Sequence, residues 1–81
     1  MFPNPATDRV DLRWNQATSG QVRAEVFDAT GKQVLDTPMG RFLSGWQQAS
    51  IAVDALAPGH YTLHLLVDGR SVHQTALQRA E

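Results

Sequence analysis

The chain has 81 residues, enough for one domain around a single core, and 42% of them are hydrophobic, as in chains that fold. A formal net charge of −1 argues against nucleic-acid binding, which depends on basic faces that neutralise phosphates. Cysteine is absent, which excludes disulfides and thiolate zinc sites, and apolar runs such as residues 65–67 are far too short to insert into a membrane.

The first residues, Met1 to Pro5, lack the basic start and apolar middle of a signal peptide. We therefore expect that Met1 is not the natural start of the protein and that a parent protein lies upstream. Within the sequence at hand, residues 1–81 are predicted to form one domain.

Two early segments alternate apolar and polar residues, which is typical of half-buried antiparallel strands. Their apolar positions are Val10, Leu12 and Trp14 in the first segment and Val22, Ala24 and Val26 in the second. The next four residues, Asp28 to Gly31, predict a tight turn, because aspartate bonds to amides two residues on and glycine tolerates positive φ. A third strand is predicted over residues 32–35.

The stretch from Asp36 to Gly45 contains one proline and two glycines and is interpreted as irregular, with residues 41–43 as a short edge strand. Residues 46–53 alternate again and predict another strand. Asp54 to Gly59 predicts a corner at which the chain changes sheet, since proline cannot continue a central ladder and leucine can close the end of a core.

The last third of the chain predicts a hairpin. Residues 60–67 place four apolar side chains on one face, and Asp68-Gly69 is typical of a type I′ turn that leads into a final strand over residues 70–78. Together the pattern predicts an all-β fold, an immunoglobulin-like Greek-key sandwich of about seven short antiparallel strands. Tyr61 is expected to bond to backbone just upstream, as in a tyrosine corner.

The three histidines, His60, His64 and His73, are candidate metal ligands. If the turn pairs residues whose numbers sum to 137, His64 lies opposite His73 and His60 shares their face. A solvated outer face is the favoured interpretation, since no carboxylate is placed to complete a site. We predict no metal and no cofactor.

Catalysis is not expected, because nothing in the sequence supplies a nucleophile, a base and an orienting group together. The tryptophans leave a choice open. Trp14 is predicted to complete an apolar strand face, whereas Trp46 is either exposed, where it could stack on a sugar, or a core plug.

Three motifs occur in a fixed order, and together they span nearly the whole chain. They are Phe2-Pro3-Asn4-Pro5-Ala6-Thr7-Asp8-Arg9-Val10, Val26-Phe27-Asp28-Ala29-Thr30-Gly31-Lys32-Gln33-Val34 and Leu56-Ala57-Pro58-Gly59-His60-Tyr61. In this order and at this spacing, the chain resembles the type A C-terminal sorting domain of type IX secretion, also called the Por secretion system.

The resemblance implies a signal that directs an exported passenger of a Gram-negative bacterium from the periplasm across the outer membrane to the cell surface or the medium. The implied partners are the translocon, its shuttle proteins and a sortase-like peptidase that cuts upstream of Phe2. The matching motif residues are Pro3, Asn4, Pro5, Asp28, Gly31, Leu56, Pro58, Gly59 and Tyr61.

Recognition by the translocon is predicted to involve the last strand, at Gln74, Thr75, Ala76, Leu77, Gln78 and Arg79. The family usually ends in a basic and aliphatic stretch, and this chain departs from that pattern with Arg79 as its one late basic residue. Two other functions stay open: a fibronectin-like spacer and a carbohydrate-binding module of an extracellular protein.

Overall fold

A computed structural model describes residues 9–79, which form six antiparallel β-strands and no helix, and hence no helix suited to crossing a membrane. The strands are β1 (Arg9–Gln16), β2 (Gly20–Asp28), β3 (Gln33–Phe42), β4 (Gly45–Ala52), β5 (Gly59–Val67) and β6 (Arg70–Arg79). They form a two-stranded sheet, β1-β4, and a four-stranded sheet in the order β3-β2-β5-β6. The all-β prediction is confirmed.

One hydrophobic core joins the two sheets into a β-sandwich. Every predicted inward position of β2 is buried, as are Leu12 and Trp14 of β1, whereas Val10 is half-buried. The rings of Trp14 and Phe42, which come from different sheets, lie 5.3 Å apart. Each fully buried aliphatic side chain contributes about 1.5–3 kcal/mol relative to its exposed state.

The prediction for residues 36–45 is wrong, because β3 runs unbroken through most of them to Phe42. Pro38 is tolerated because β3 is an edge strand, where a missing N–H need not interrupt a ladder. Gly40 has a φ of 90° beside a register shift against β2, so it accommodates a bulge and does not end the strand.

This continuity also changes the strand count. The predicted strand at residues 32–35 and the short edge strand at 41–43 fall almost entirely within β3, so the described residues form six strands and not about seven. Asp36 lies within β3, and its Oδ1 forms a salt bridge with Nε of Arg23 on β2 at 3.2 Å.

The predicted change of sheet at residues 54–59 is confirmed, since β4 belongs to the smaller sheet and β5 to the larger. The hairpin that follows turns at Asp68 and Gly69, which both have positive φ, 51° and 80°. These values agree with the predicted type I′ turn.

The register of this hairpin differs from the prediction. Val67 pairs with Arg70 as expected, but the register shifts between Leu65 and Leu66, which leaves Val72 as an extra residue on β6. Such a bulge is not marked in the sequence by glycine or proline, which is why the turn alone gave the wrong pairing.

Candidate functional site

The turn between β2 and β3 is held by the carboxylate of Asp28. Its Oδ1 accepts hydrogen bonds from the Thr30 amide at 2.9 Å, the Thr30 hydroxyl at 2.6 Å and the Lys32 amide at 3.0 Å. The Thr30 hydroxyl, followed by the Lys32 amide, lowers the pKa of Asp28. Gly31, with a φ of 89°, donates its amide to the Asp28 carbonyl at 3.0 Å. Both motif residues therefore shape the turn.

The corner between the sheets contains four of the other motif residues. The Leu56 side chain is buried in the core, and the Tyr61 hydroxyl donates to the Ala57 carbonyl at 2.5 Å. This is the expected tyrosine-corner bond, and it spans the exposed Pro58 and the half-buried Gly59. The φ of Gly59, 154°, suits glycine. The remaining motif residues, Pro3, Asn4 and Pro5, lie outside the described part of the chain.

The predicted recognition strand, β6, is an edge strand of the four-stranded sheet with β5 as its neighbour. Its six predicted residues are divided between interior and surface. Leu77 is buried in the core, Thr75 is half-buried, and Gln74, Ala76 and Gln78 are exposed. Side-chain recognition is therefore restricted to the outer face, while the main chain presents an edge.

Arg79 has a contact that sequence reasoning did not foresee. Its Nε donates to the Val53 carbonyl at 3.0 Å, and its Nη2 lies 3.5 Å from the Asp54 carbonyl. Because Val53 directly follows β4, this side chain connects the end of β6 to the opposite sheet. The one late basic residue thus has an anchoring contact inside the domain.

The histidines are not brought together as predicted. After the shift at Val72, His64 lies opposite Gln74, and His73 lies opposite Leu65. The predicted pairing of His64 with His73 is wrong for this reason, and residues 9–79 contain no group of three possible metal ligands. The His64 ring instead packs edge-on against Phe27, with centroids 5.2 Å apart.

Two further polar features were missed. Gln16 is buried, accepts from Trp14 Nε1 at 3.0 Å and donates to the carbonyls of Thr18 and Phe42. Trp46 is 65% exposed, and the Arg13 guanidinium lies 5.1 Å from the centroid of its ring. The Arg13–Trp46 contact depends on the pairing of β1 with β4, and the Gln16–Phe42 hydrogen bond joins β1 to β3. Local periodicity reveals neither of these long-range contacts.

Comparison with known proteins identifies the family. The family model for the secretion system C-terminal sorting domain matches residues 1–78, nearly the whole chain. No significant match was found among curated proteins, and none among solved structures. The family consists of C-terminal tails of secreted proteins that are exported to the cell surface or beyond, and it is not an enzyme family. The chain thus belongs to the secretion system C-terminal sorting domain family and is a sorting signal for type IX secretion.

Proposed function

We propose that this domain directs an exported passenger across the outer membrane through the type IX translocon, and that a component of this system binds it by pairing with β6. The observation that carries the proposal is the position of β6 at the edge of the larger sheet. An edge strand presents main-chain donors and acceptors that a partner strand can use.

The opposite edge, β3, is less suited to such pairing. It contains Pro38, which has no N–H, and a bulge at Gly40 that bends the edge. By contrast, residues 73–79 of β6 keep one register with β5 and contain neither proline nor glycine. A partner strand could therefore continue this part of the sheet.

Among residues 9–79, each strand of the smaller sheet also pairs on one side alone, and the two strands differ in charge. β1 carries Arg9, Asp11 and Arg13, and charged side chains discourage edge pairing. β4 has no acidic or basic residue, and residues 73–78 of β6 contain no aspartate, glutamate, lysine or arginine. β4 is thus the alternative edge that an experiment must distinguish from β6.

Deleting residues 74–81 would not test recognition, because it removes the buried Leu77 and the Arg79 contact along with the edge. A sharper test compares Ala76→Lys on β6 with Ala52→Lys on β4, since both alanines are exposed on edge strands. Each variant is fused behind an exported fluorescent reporter in a host with type IX secretion, and reporter at the cell surface is measured.

We expect Ala76→Lys to lower surface delivery several-fold, because a charge on the edge disfavours strand addition, whereas Ala52→Lys and the neutral Ala76→Val should deliver normally. Thermal unfolding of the purified domains checks that all variants fold. Normal delivery by Ala76→Lys, or a loss confined to Ala52→Lys, would overturn recognition at β6.

We propose further that the domain travels through the periplasm with shuttle proteins and is then removed by a sortase-like peptidase that cuts upstream of Phe2. Family membership supports this proposal. Epitope tags on both sides of the junction test it: surface passenger should carry the upstream tag alone. Passenger that keeps both tags on the cell surface would contradict removal.

Finally, we propose an immunoglobulin-like Greek-key topology. Support comes from the non-consecutive neighbours β1-β4 and β2-β5, from the change of sheet after β4, and from the Tyr61 bond to Ala57. Interstrand NOEs from NMR test the arrangement. Contacts that place β1 beside a strand other than β4 would contradict it.

A further inference from the structure

The outer face of the two-stranded sheet has a feature that its sorting role does not require. Alternate residues of β1 and β4 point outward and are exposed: Arg9, Asp11, Arg13, Asn15, Trp46, Gln48, Ser50 and Ala52. Trp46 is the one aromatic residue among them and is 65% exposed. A single exposed apolar residue is common on protein surfaces, so the surroundings of this ring decide whether it forms a site.

The Trp46 ring is held in place by Arg13. The guanidinium carbon lies 5.1 Å from the ring centroid, an arrangement that orders both side chains through a cation–π contact. A stacked guanidinium keeps its N–H donors in its own plane, so Arg13 can still bind an anionic group at the edge of the ring. The guanidinium lies over one face of the ring, and the 65% exposure of Trp46 leaves the rest of the ring accessible to a ligand.

The neighbours of this pair are polar. Across the β1–β4 ladder Asn15 lies opposite Trp46, and Gln48 lies opposite Arg13. Each amide offers both donors and an acceptor, which suits hydroxyl groups. A protein interface of about 800 Å² per partner normally has an apolar centre, whereas this ring is isolated among polar groups. The surroundings favour a polyhydroxylated ligand over a protein.

The charge of the face favours an acidic ligand. The face carries two arginines, Arg9 and Arg13, and one carboxylate, Asp11, whose Oδ1 accepts a hydrogen bond from the Ser50 hydroxyl at 2.6 Å. The formal charge of the face is thus positive, although the whole chain has a net charge of −1. Arginine binds carboxylates through two parallel hydrogen bonds.

We propose that the outer face of the β1–β4 sheet binds an acidic polysaccharide, with a sugar ring against Trp46, its carboxylate on Arg13, and its hydroxyls on Asn15 and Gln48. Aromatic rings bind flat ligand surfaces by stacking, and the guanidinium selects the charge. This site lies on the opposite sheet from β6 and does not depend on how the translocon recognises the domain.

Polygalacturonate and its fully methyl-esterified form provide a matched pair of probes, because they share a backbone and differ in charge. Binding of each to the 81-residue chain is measured by isothermal titration calorimetry at low and at physiological salt. We expect the acidic polymer to bind at least tenfold more tightly than the ester, with an affinity that falls as salt rises.

Variants then locate the site. Trp46→Ala should weaken binding of the acidic polymer at least tenfold, and Trp46→Phe should retain part of it. Arg13→Gln should remove the preference for the acid over the ester. Val72→Ala is the control, since it also changes an exposed apolar residue, 51% exposed on β6, but lies on the other sheet.

Several results would overturn the proposal. They are no binding of either polymer, equal or tighter binding of the ester, undiminished binding by Trp46→Ala, or an equal loss with Val72→Ala. If Trp46 binds a protein and not a glycan, neither polymer should bind. Circular dichroism confirms that each variant keeps the wild-type fold.

Discussion

The two faces of the β1–β4 sheet each carry a tryptophan, one buried in the core and one exposed to solvent. Trp14 points inward, is 5% exposed and packs against Phe42, whereas Trp46 points outward and is 65% exposed beside Arg13. They lie close together, because Asn15, the neighbour of Trp14, pairs with Trp46. The pleat of the strands assigns one ring to the core and the other to solvent. Residue type alone therefore does not show which tryptophan stabilises the fold and which is available to a ligand.

The largest contrast between the faces should appear on removing the inner ring. Trp14→Ala leaves a cavity beneath both sheets and should lower the free energy of unfolding by about 3–5 kcal/mol. Urea denaturation followed by circular dichroism measures the change, and Leu12→Val provides a milder core variant. A loss below about 1 kcal/mol would show that the inner ring is not tightly packed.

A smaller effect is expected from the buried amide beside that ring. Gln16→Ala removes the acceptor for Trp14 Nε1 and the donor for the carbonyls of Thr18 and Phe42, which leaves buried polar groups unsatisfied. The expected loss is about 1–3 kcal/mol. Gln48→Ala on the outer face of the same sheet is the matched control and should change stability by less than about 0.5 kcal/mol. Equal losses in the two variants would contradict the contrast.

Asp28 is a useful exception, because its carboxylate organises a turn while exposed to solvent. Folding lowers its pKa, so the carboxylate contributes stability above the pKa of an unfolded aspartate, about 3.9, and loses that contribution as pH falls through the lower folded value. Asp28→Asn should therefore show a smaller drop in thermal midpoint between pH 5 and pH 2 than the wild type. Parallel pH profiles would argue against the hydrogen bonds that lower this pKa.

The smallest effect on folding is expected at the outer ring. Trp46→Ala loses the exposed cation–π contact with Arg13, which is worth about 0.5–1 kcal/mol, and no core packing. Urea denaturation run beside Trp14→Ala tests this. A loss comparable to that of Trp14→Ala would mean that Trp46 supports the fold and is not simply available for binding.

Much of the fold could be predicted from local patterns. Period-two alternation located β1, β2, β4 and β5, and turn chemistry located the reversals at Asp28 and Asp68, the second of which predicted β6. The corner was also predictable, because Leu56 and Tyr61 combine a buried side chain with a specific hydrogen bond. These features depend on residues close together in the chain.

The rest depends on contacts between distant residues. Pro38 and Gly40 suggest a break, yet β3 continues because β2 supplies a ladder on one side and the other side is an edge. The bulge at Val72 has no sequence marker, so the facing histidines were misplaced. The Arg13–Trp46 contact needs the β1–β4 pairing, which no local pattern specifies. The surface features were therefore the least predictable from sequence.

The hydrogen bond from Arg79 to the Val53 carbonyl has a consequence for folding kinetics. It connects the last described residue of β6 to the smaller sheet. In that sheet β1 pairs with β4, and the two strands are separated in the sequence by β2 and β3. A sandwich closed by such distant contacts folds slowly compared with one built from neighbouring hairpins. The fold of the domain is thus complete only when its final strand has paired.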